Sequence, residues 1–177
     1  MDKTGLVHVY YGDGQGKTCA AVGLAVRACG GGCKVLYTQF LKNCRSGELA
    51  ALNLLSQGVE VLTPQPCVKF VFQMTEQERR EAAAEQTACF REARRKVSTG
   101  AFRMLILDEA MDAVQLGLID REEFLAFLKD KPQELEVAIT GHGMLEGLPE
   151  LADYISEVKK VKHPYDRGVK ARIGVEL

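Results

Sequence analysis

The sequence predicts an α/β domain of three layers, with helices on both faces of a mostly parallel sheet of about six strands. Three observations carry this reading. Short β-branched or apolar runs alternate with helical patterns along the chain, the order that builds a parallel sheet through crossover helices. The runs VHVY at 7–10 and MLILD at 104–108 are apolar without clean polar alternation, as strands covered on both faces are. A glycine-rich loop and a helix of small residues follow the first strand directly.

Taken in order, strands are expected at 6–11, 34–40, 59–62, 104–107 and 137–140, with a late pair around 155–161 and 172–175. Helical spacing or composition marks 17–29, 48–56, 76–97, 121–129 and 148–152. The longest helix opens with TEQE, a capping box in which Thr75 bonds a backbone N–H while Glu78 reaches back. Its Ala82, Cys89, Ala93 and Val97 form an apolar stripe, and Arg79, Arg80, Arg91, Arg94, Arg95 and Lys96 lie mainly off it, which reads as a solvated face. Residues 63–69, with Pro64 and Pro66, read as an irregular loop. No repeat or linker divides the chain, so 1–177 is taken as one domain.

Composition narrows the function classes. With 46% hydrophobic and 27% charged residues among 177, the chain has a globular composition, and its formal charge of -1 offers no global attraction to nucleic acid or anionic membranes. No apolar run approaches the roughly 20 residues of a spanning helix. The structured motif begins too early for a signal peptide, so a cytoplasmic location is expected. Six cysteines, at 19, 29, 33, 44, 67 and 89, lack zinc-site spacing and read as thiols. Cys19 and Cys29, inside the first helix, are expected to pack as small hydrophobes.

The chemistry starts at Gly12-Asp13-Gly14-Gln15-Gly16-Lys17-Thr18. Strand, glycine-rich loop, helix is the setting of a phosphate-binding P-loop, in which backbone N–H groups converge on phosphate oxygens. Lys17 would meet phosphate charge and Thr18 would offer its hydroxyl to magnesium. The consensus asks for a first glycine where Tyr11 stands, so the loop is expected to be shaped differently from the common type. The strand 104–107 ends in Asp108 and Glu109, where metal-side carboxylates of P-loop nucleotidases lie, although two acids there could instead cap the following helix. Together these point to a P-loop NTPase-like, RecA-type fold holding a magnesium nucleoside triphosphate.

The runs GDGQGKTCAAVGLAVRACGGGCKVLYTQFLK, Gly47-Glu48, FVFQMTE, LILDE, ITGHG and especially VKHPYDRGVKARIGVEL resemble the P-loop ATP:corrinoid adenosyltransferases over nearly the full length. The resemblance implies transfer of the 5′-deoxyadenosyl group of ATP to the cobalt(I) of a reduced corrinoid, with triphosphate leaving. It implies ATP contacts at Gly12, Asp13, Gly14, Gln15, Gly16, Lys17, Thr18, Arg27 and His142, and magnesium at Thr18, Glu109 and Asp108. Phe70 and Phe72 match an aromatic pair that lies over the corrin and displaces the lower cobalt ligand. From the residues alone, that pair reads first as core on an extended segment, and Arg27 reads equally as a surface arginine.

Three departures from the family pattern stand out: His142 where arginine is common, Asp13 for asparagine, and Phe72 for tryptophan. An N-terminal segment that covers the site in longer members is expected to be short or missing. The tail 161–175, with Lys162, His163, Arg167, Lys170 and Arg172, is assigned first to closing the sheet and second to binding corrinoid or nucleotide. His8 and His163 are expected to pack or hydrogen-bond rather than bind cobalt. A homodimer and a flavoprotein reductase as electron donor also follow from the resemblance. Two other classes stay open: a kinase or ATPase acting on the γ-phosphoryl group, and a module that binds ATP, with or without single-stranded nucleic acid.

Overall fold

The computed structural model describes residues 4–42, 46–67 and 69–175, and Cys44 lies outside them. Six strands form one sheet: β1 Val7–Tyr11, β2 Val35–Gln39, β3 Val59–Leu62, β4 Met104–Asp108, β5 Glu136–Gly141 and β6 Tyr154–Glu157. Their order is β3-β2-β4-β5-β1-β6, and every pairing is parallel. Among the described residues, five α-helices accompany them: α1 Lys17–Gly30, α2 Gly47–Leu54, α3 Glu76–Val97, α4 Ala110–Gln115 and α5 Arg121–Asp130.

Successive strand residues point to opposite faces, and this divides the core in two. Leu36, Leu105, Leu107, Val137 and Ile139 pack with Phe90 and Ala93 of α3 and Phe124 and Leu128 of α5. Val35, Tyr37, Met104, Ile106 and Ala138 pack with Ala21 and Ala25 of α1 and Leu49 and Leu52 of α2. Ala21 and Ala25 of α1 are fully buried, so that helix lies close on the sheet and its N-terminus meets the end of β1. The capping box of α3 is formed as expected: Glu78 N donates to Thr75 Oγ1 at 3.2 Å and Thr75 N to Glu78 Oε2 at 2.9 Å.

The structure corrects three expectations. Residues 172–175 add no strand; Ile173 is 93% exposed in a turn, because no covering helix gives its apolar side chain a face to bury. The sheet is closed by β6 alone, and the tail beyond it leaves the sheet. Residues 148–152 form turns rather than a helix; Leu148 and Leu151 reach the core without helical continuity, and Pro149 donates no backbone hydrogen bond. Cys19 is exposed and Cys29 only partly buried: two residues from Ala21 along α1, Cys19 falls on the far side of the buried stripe. His8 does pack, stacked on Tyr154 with ring centroids 4.4 Å apart and bonded to Glu136.

Candidate active site at the carboxyl ends of the strands

In a parallel sheet, ligands gather at the carboxyl ends of the strands, and the loops after β1, β2, β4 and β5 meet there. The P-loop leaves β1 through Gly12 and enters α1 through Gly16, both at φ +117°, a region open to glycine and strained for other residues. Gly12 N donates to His142 O at 3.0 Å, and Gly14 N donates to Val158 O at 2.7 Å. The tail thus seals one side of the loop, and the Gly14 N–H is committed to protein. No side chain caps α1, so the N–H groups of its first turn face the loop mouth. Lys17 folds over the loop, its Nζ donating to Gly12 O at 2.7 Å and Gly14 O at 2.8 Å.

Asp108, fully buried, joins the P-loop to the rest of the site. Its Oδ1 accepts from Thr18 Oγ1 at 2.9 Å and Thr140 Oγ1 at 2.8 Å. Its Oδ2 accepts from Lys42 Nζ at 2.9 Å and, at 3.3 Å each, from Tyr37 Oη and Gln39 Nε2. The neighbouring Glu109 sits at φ +58°, its N–H donating to Thr140 Oγ1 at 2.8 Å. Helix capping by this acid pair is not what forms, since no side-chain cap bonds α4. Burial pushes the Glu109 carboxyl up to about 7; Lys42 opposes the rise and the Asp108 and Asp112 charges add to it.

Lys42 stands among three carboxylates, its Nζ 2.9 Å from Asp108 Oδ2, 3.3 Å from Glu48 Oε1 and 3.6 Å from Glu109 Oε1. Burial alone would lower its affinity for a proton, but these carboxylates outweigh it and hold the ammonium above its ordinary range. Glu48 is lowered: burial works against this, while its own backbone N–H, Lys42 and the side chains of Gln39 and Ser46 prevail.

Of the expected residues, the structure brings Gly12 to Thr18, Asp108, Glu109 and His142 together. Asp13 does not point inward: its Oδ1 accepts from Lys160 N at 3.0 Å, a bond that holds its carboxyl below the usual range. His142 is tied to Asp112, Nδ1 to Oδ2 at 3.1 Å. Arg27 is exposed in the last turn of α1, about 15 Å along the helix from Lys17, and stands apart. Phe70 and Phe72 are not core. They are 70% and 83% exposed and stack at 5.5 Å across the turn Val71–Gln73, on a loop tied to the site by Cys67 N donating to Lys42 O at 3.1 Å.

Sequence reasoning assigned no role to Lys42, Gln39, Tyr37, Thr140 or Asp112. The signal available was position: Gln39 and Lys42 end or follow the strand expected at 34–40, at the sheet edge where ligands collect. The tail adds a cavity of about 170 Å³ beside the P-loop, lined by Gln15, His163, Pro164, Tyr165, Val169 and Lys170. His163 serves structure there, its Nδ1 accepting from Tyr165 N.

This arrangement offers two lysines and a helix N-terminus to a polyphosphate, and hydroxyl and carboxylate oxygens to a hard cation. Among the described residues of the site, the one histidine, His142, is tied to Asp112 at the loop wall, and no serine or cysteine is bonded to a base. A corrinoid adenosyltransferase of Escherichia coli K12 is 37% identical over 178 residues, covering 99% of this chain and 87% of the relative. Corrinoid adenosyltransferase CobA of Salmonella typhimurium LT2 is 34% identical with the same coverage. The Pseudomonas aeruginosa corrinoid adenosyltransferase is 31% identical over 99% of this chain and 85% of its own length. Residues 3–177 match the family described as ATP:corrinoid adenosyltransferase BtuR/CobO/CobP, and the chain belongs to that family.

Proposed function

We propose that the protein transfers the 5′-deoxyadenosyl group of ATP to the cobalt(I) of a reduced corrinoid. The observation that carries this is the Thr18–Asp108 hydrogen bond, which fuses the P-loop and the β4 carboxylates into one cradle with an exposed aromatic pair on an adjoining loop. Cobalt(I) of the substrate is itself the nucleophile. The cobalt–carbon bond forms at C5′ as the C5′–oxygen bond breaks, and the electron pair leaves on triphosphate. No protein base is required, and the lysines and backbone donors of the loop suffice to receive the charge of the leaving group.

The protein's contribution is then positioning and neutralisation of the leaving group. The N–H groups from Gln15 to Thr18 and the Lys17 ammonium hold the triphosphate, Lys17 exchanging its two loop carbonyls for phosphate oxygens. Gly12 and Gly14 shape the loop, and Asp13 fastens the tail. Phe70 and Phe72 meet the corrin, where an apolar stack excludes water from the face of cobalt opposite the adenosyl group. We assign Arg27 no phosphate contact and His142 a place at the loop wall through its carbonyl.

Magnesium suits this donor set. It prefers oxygen, keeps several waters and takes only one or two carboxylates beside substrate phosphates, and Thr18 and Glu109 with Asp108 behind them supply that. When bound it would neutralise the developing triphosphate charge. A flavoprotein reductase as electron donor, a cytoplasmic location and a homodimer complete the reading on family grounds.

An anaerobic assay tests it: chemically reduced cob(I)alamin, ATP and magnesium, following the cobalt(I) spectrum and identifying the phosphate product. A light-sensitive alkylcobalamin with one triphosphate per turnover, abolished in Lys17→Ala, is expected. Persistent cobalt(I) with release of orthophosphate would instead favour γ-phosphoryl chemistry.

A further inference from the structure

Lys42 is held in the carboxylate cluster by its backbone and not merely by charge. It follows β2 through Leu41, whose φ of +59° is uncommon for a residue with a side chain and persists only where the surroundings fix it. Three hydrogen bonds do so: Phe40 N to Asp108 O at 2.9 Å, Cys67 N to Lys42 O at 3.1 Å, and Leu41 N to Oε1 of the buried Gln86 at 3.2 Å. The ammonium lies within 3.6 Å of Asp108, Glu48 and Glu109, and 3.5 Å from Thr18 Oγ1. Thr18, Asp108 and Glu109 are the groups assigned above to magnesium, and Glu48 is a third carboxylate beside them. Lys17, the other cation of the site, points at the loop carbonyls instead.

Three acids crowded in a half-buried cleft repel one another unless a cation stands between them. A free divalent ion and the Lys42 ammonium are alternative solutions to that problem in the same place. We propose that Lys42 is a positioning residue that serves as the built-in counter-ion of the metal-side carboxylates and competes with free divalent metal, so that metal enters with the nucleotide and not before it. The triphosphate then supplies the counter-charge for the displaced ammonium. This rests on the assignment of Thr18, Asp108 and Glu109 as the magnesium site, and goes beyond it in saying what occupies that site between turnovers.

Manganese(II) alone is the probe. Free Mn²⁺ is followed by electron paramagnetic resonance during titration of nucleotide-free protein, and thermal unfolding is recorded with chelator and with Mn²⁺. The wild type is expected to bind Mn²⁺ weakly and to gain little thermal stability from it. Lys42→Met should bind at least tenfold tighter, unfold earlier in chelator and recover with Mn²⁺, while Lys42→Arg, which restores the cation, should behave as wild type. A residue with a purely packing role would not tighten metal binding when removed. Unchanged or weaker Mn²⁺ binding in Lys42→Met overturns the inference, as does a Lys42→Met chain that stays unfolded with Mn²⁺ present. Water-proton relaxation of Mn²⁺–ATP with the wild type separates the two layers. Enhancement that Thr18→Ala abolishes, without a gain in Lys42→Met, sinks the role of Lys42 alone; no enhancement removes the metal site and the inference with it.

Discussion

Asp108 accepts from five side chains, on β1's loop helix, β2, the turn after β2, and β5, while its own side chain has no exposure. Substitution by asparagine keeps the shape but turns one acceptor into a donor facing Lys42 or two hydroxyls. Asp108→Asn is therefore expected to cost about 3 kcal/mol, a fall in Tm of roughly 6–12 °C, measured by thermal unfolding of the unliganded protein. Phe70 and Phe72 give the opposite outcome. Because they are exposed, the double change to alanine should leave stability within about 0.5 kcal/mol, whereas core phenylalanines would cost about 3–5 kcal/mol each. Adenosyl transfer starting from cobalt(II) should nonetheless fall at least tenfold. Urea unfolding and the reductive assay, run side by side, check both halves.

At the scale of elements, α3 is the most completely legible piece, because its start and its buried stripe are both local. Thr75→Ala should cost about 1 kcal/mol, seen as a fall in Tm of a few degrees. Its basic face is used for ion pairs: Arg91 and Arg94 both reach Glu123 on α5, and Lys96 reaches Glu60 on β3. These arginines line an open groove of about 480 Å³ without being idle there. Hydrogen bonds from Arg91 act first, burial opposes them, and the charges of both arginines help to hold the Glu123 carboxyl below its ordinary value. The unfolded chain then binds the proton more readily than the folded one. Stability from this pair is present above about pH 4.5 and is lost as pH falls through the folded value, so Glu123→Gln should flatten the acid side of a pH series of urea midpoints.

The strands β2, β4 and β5 were readable because nearly every residue in them is buried between the covering helices, and β1 and β3 because they are short β-branched runs. The end of the chain was not, because Val161, Ile173 and Val175 carry strand-like composition without a core to face. The P-loop and the Asp108-Glu109 pair stand contiguous in sequence and could be read; Lys42 could not, since Glu48 meets it from α2 and Asp108, more than sixty residues away, meets it only through the parallel register of β2 on β4.

For the molecule as a whole, the sheet and the tail divide the labour. The tail beyond Lys160 is largely exposed yet lines the cavity beside Gln15. Ending the chain after Lys160 should leave circular dichroism and the unfolding midpoint nearly unchanged while weakening ATP binding at least tenfold by calorimetry. An equal loss of both would assign the tail to folding instead.

Val158 bears on how such loops are recognised in other chains. A methyl group at Gly12 would lie 2.4 Å from the Val158 carbonyl oxygen, and one at Gly14 2.7 Å from it, whether or not any phosphate is ever bound. Two of the three loop glycines are thus demanded by the chain's own return past the loop. A descendant that had lost catalysis would still be obliged to keep them for as long as it kept the tail. In this lineage the glycines testify to the architecture, and it is Lys17, Thr18 and the β4 acids that testify to the chemistry.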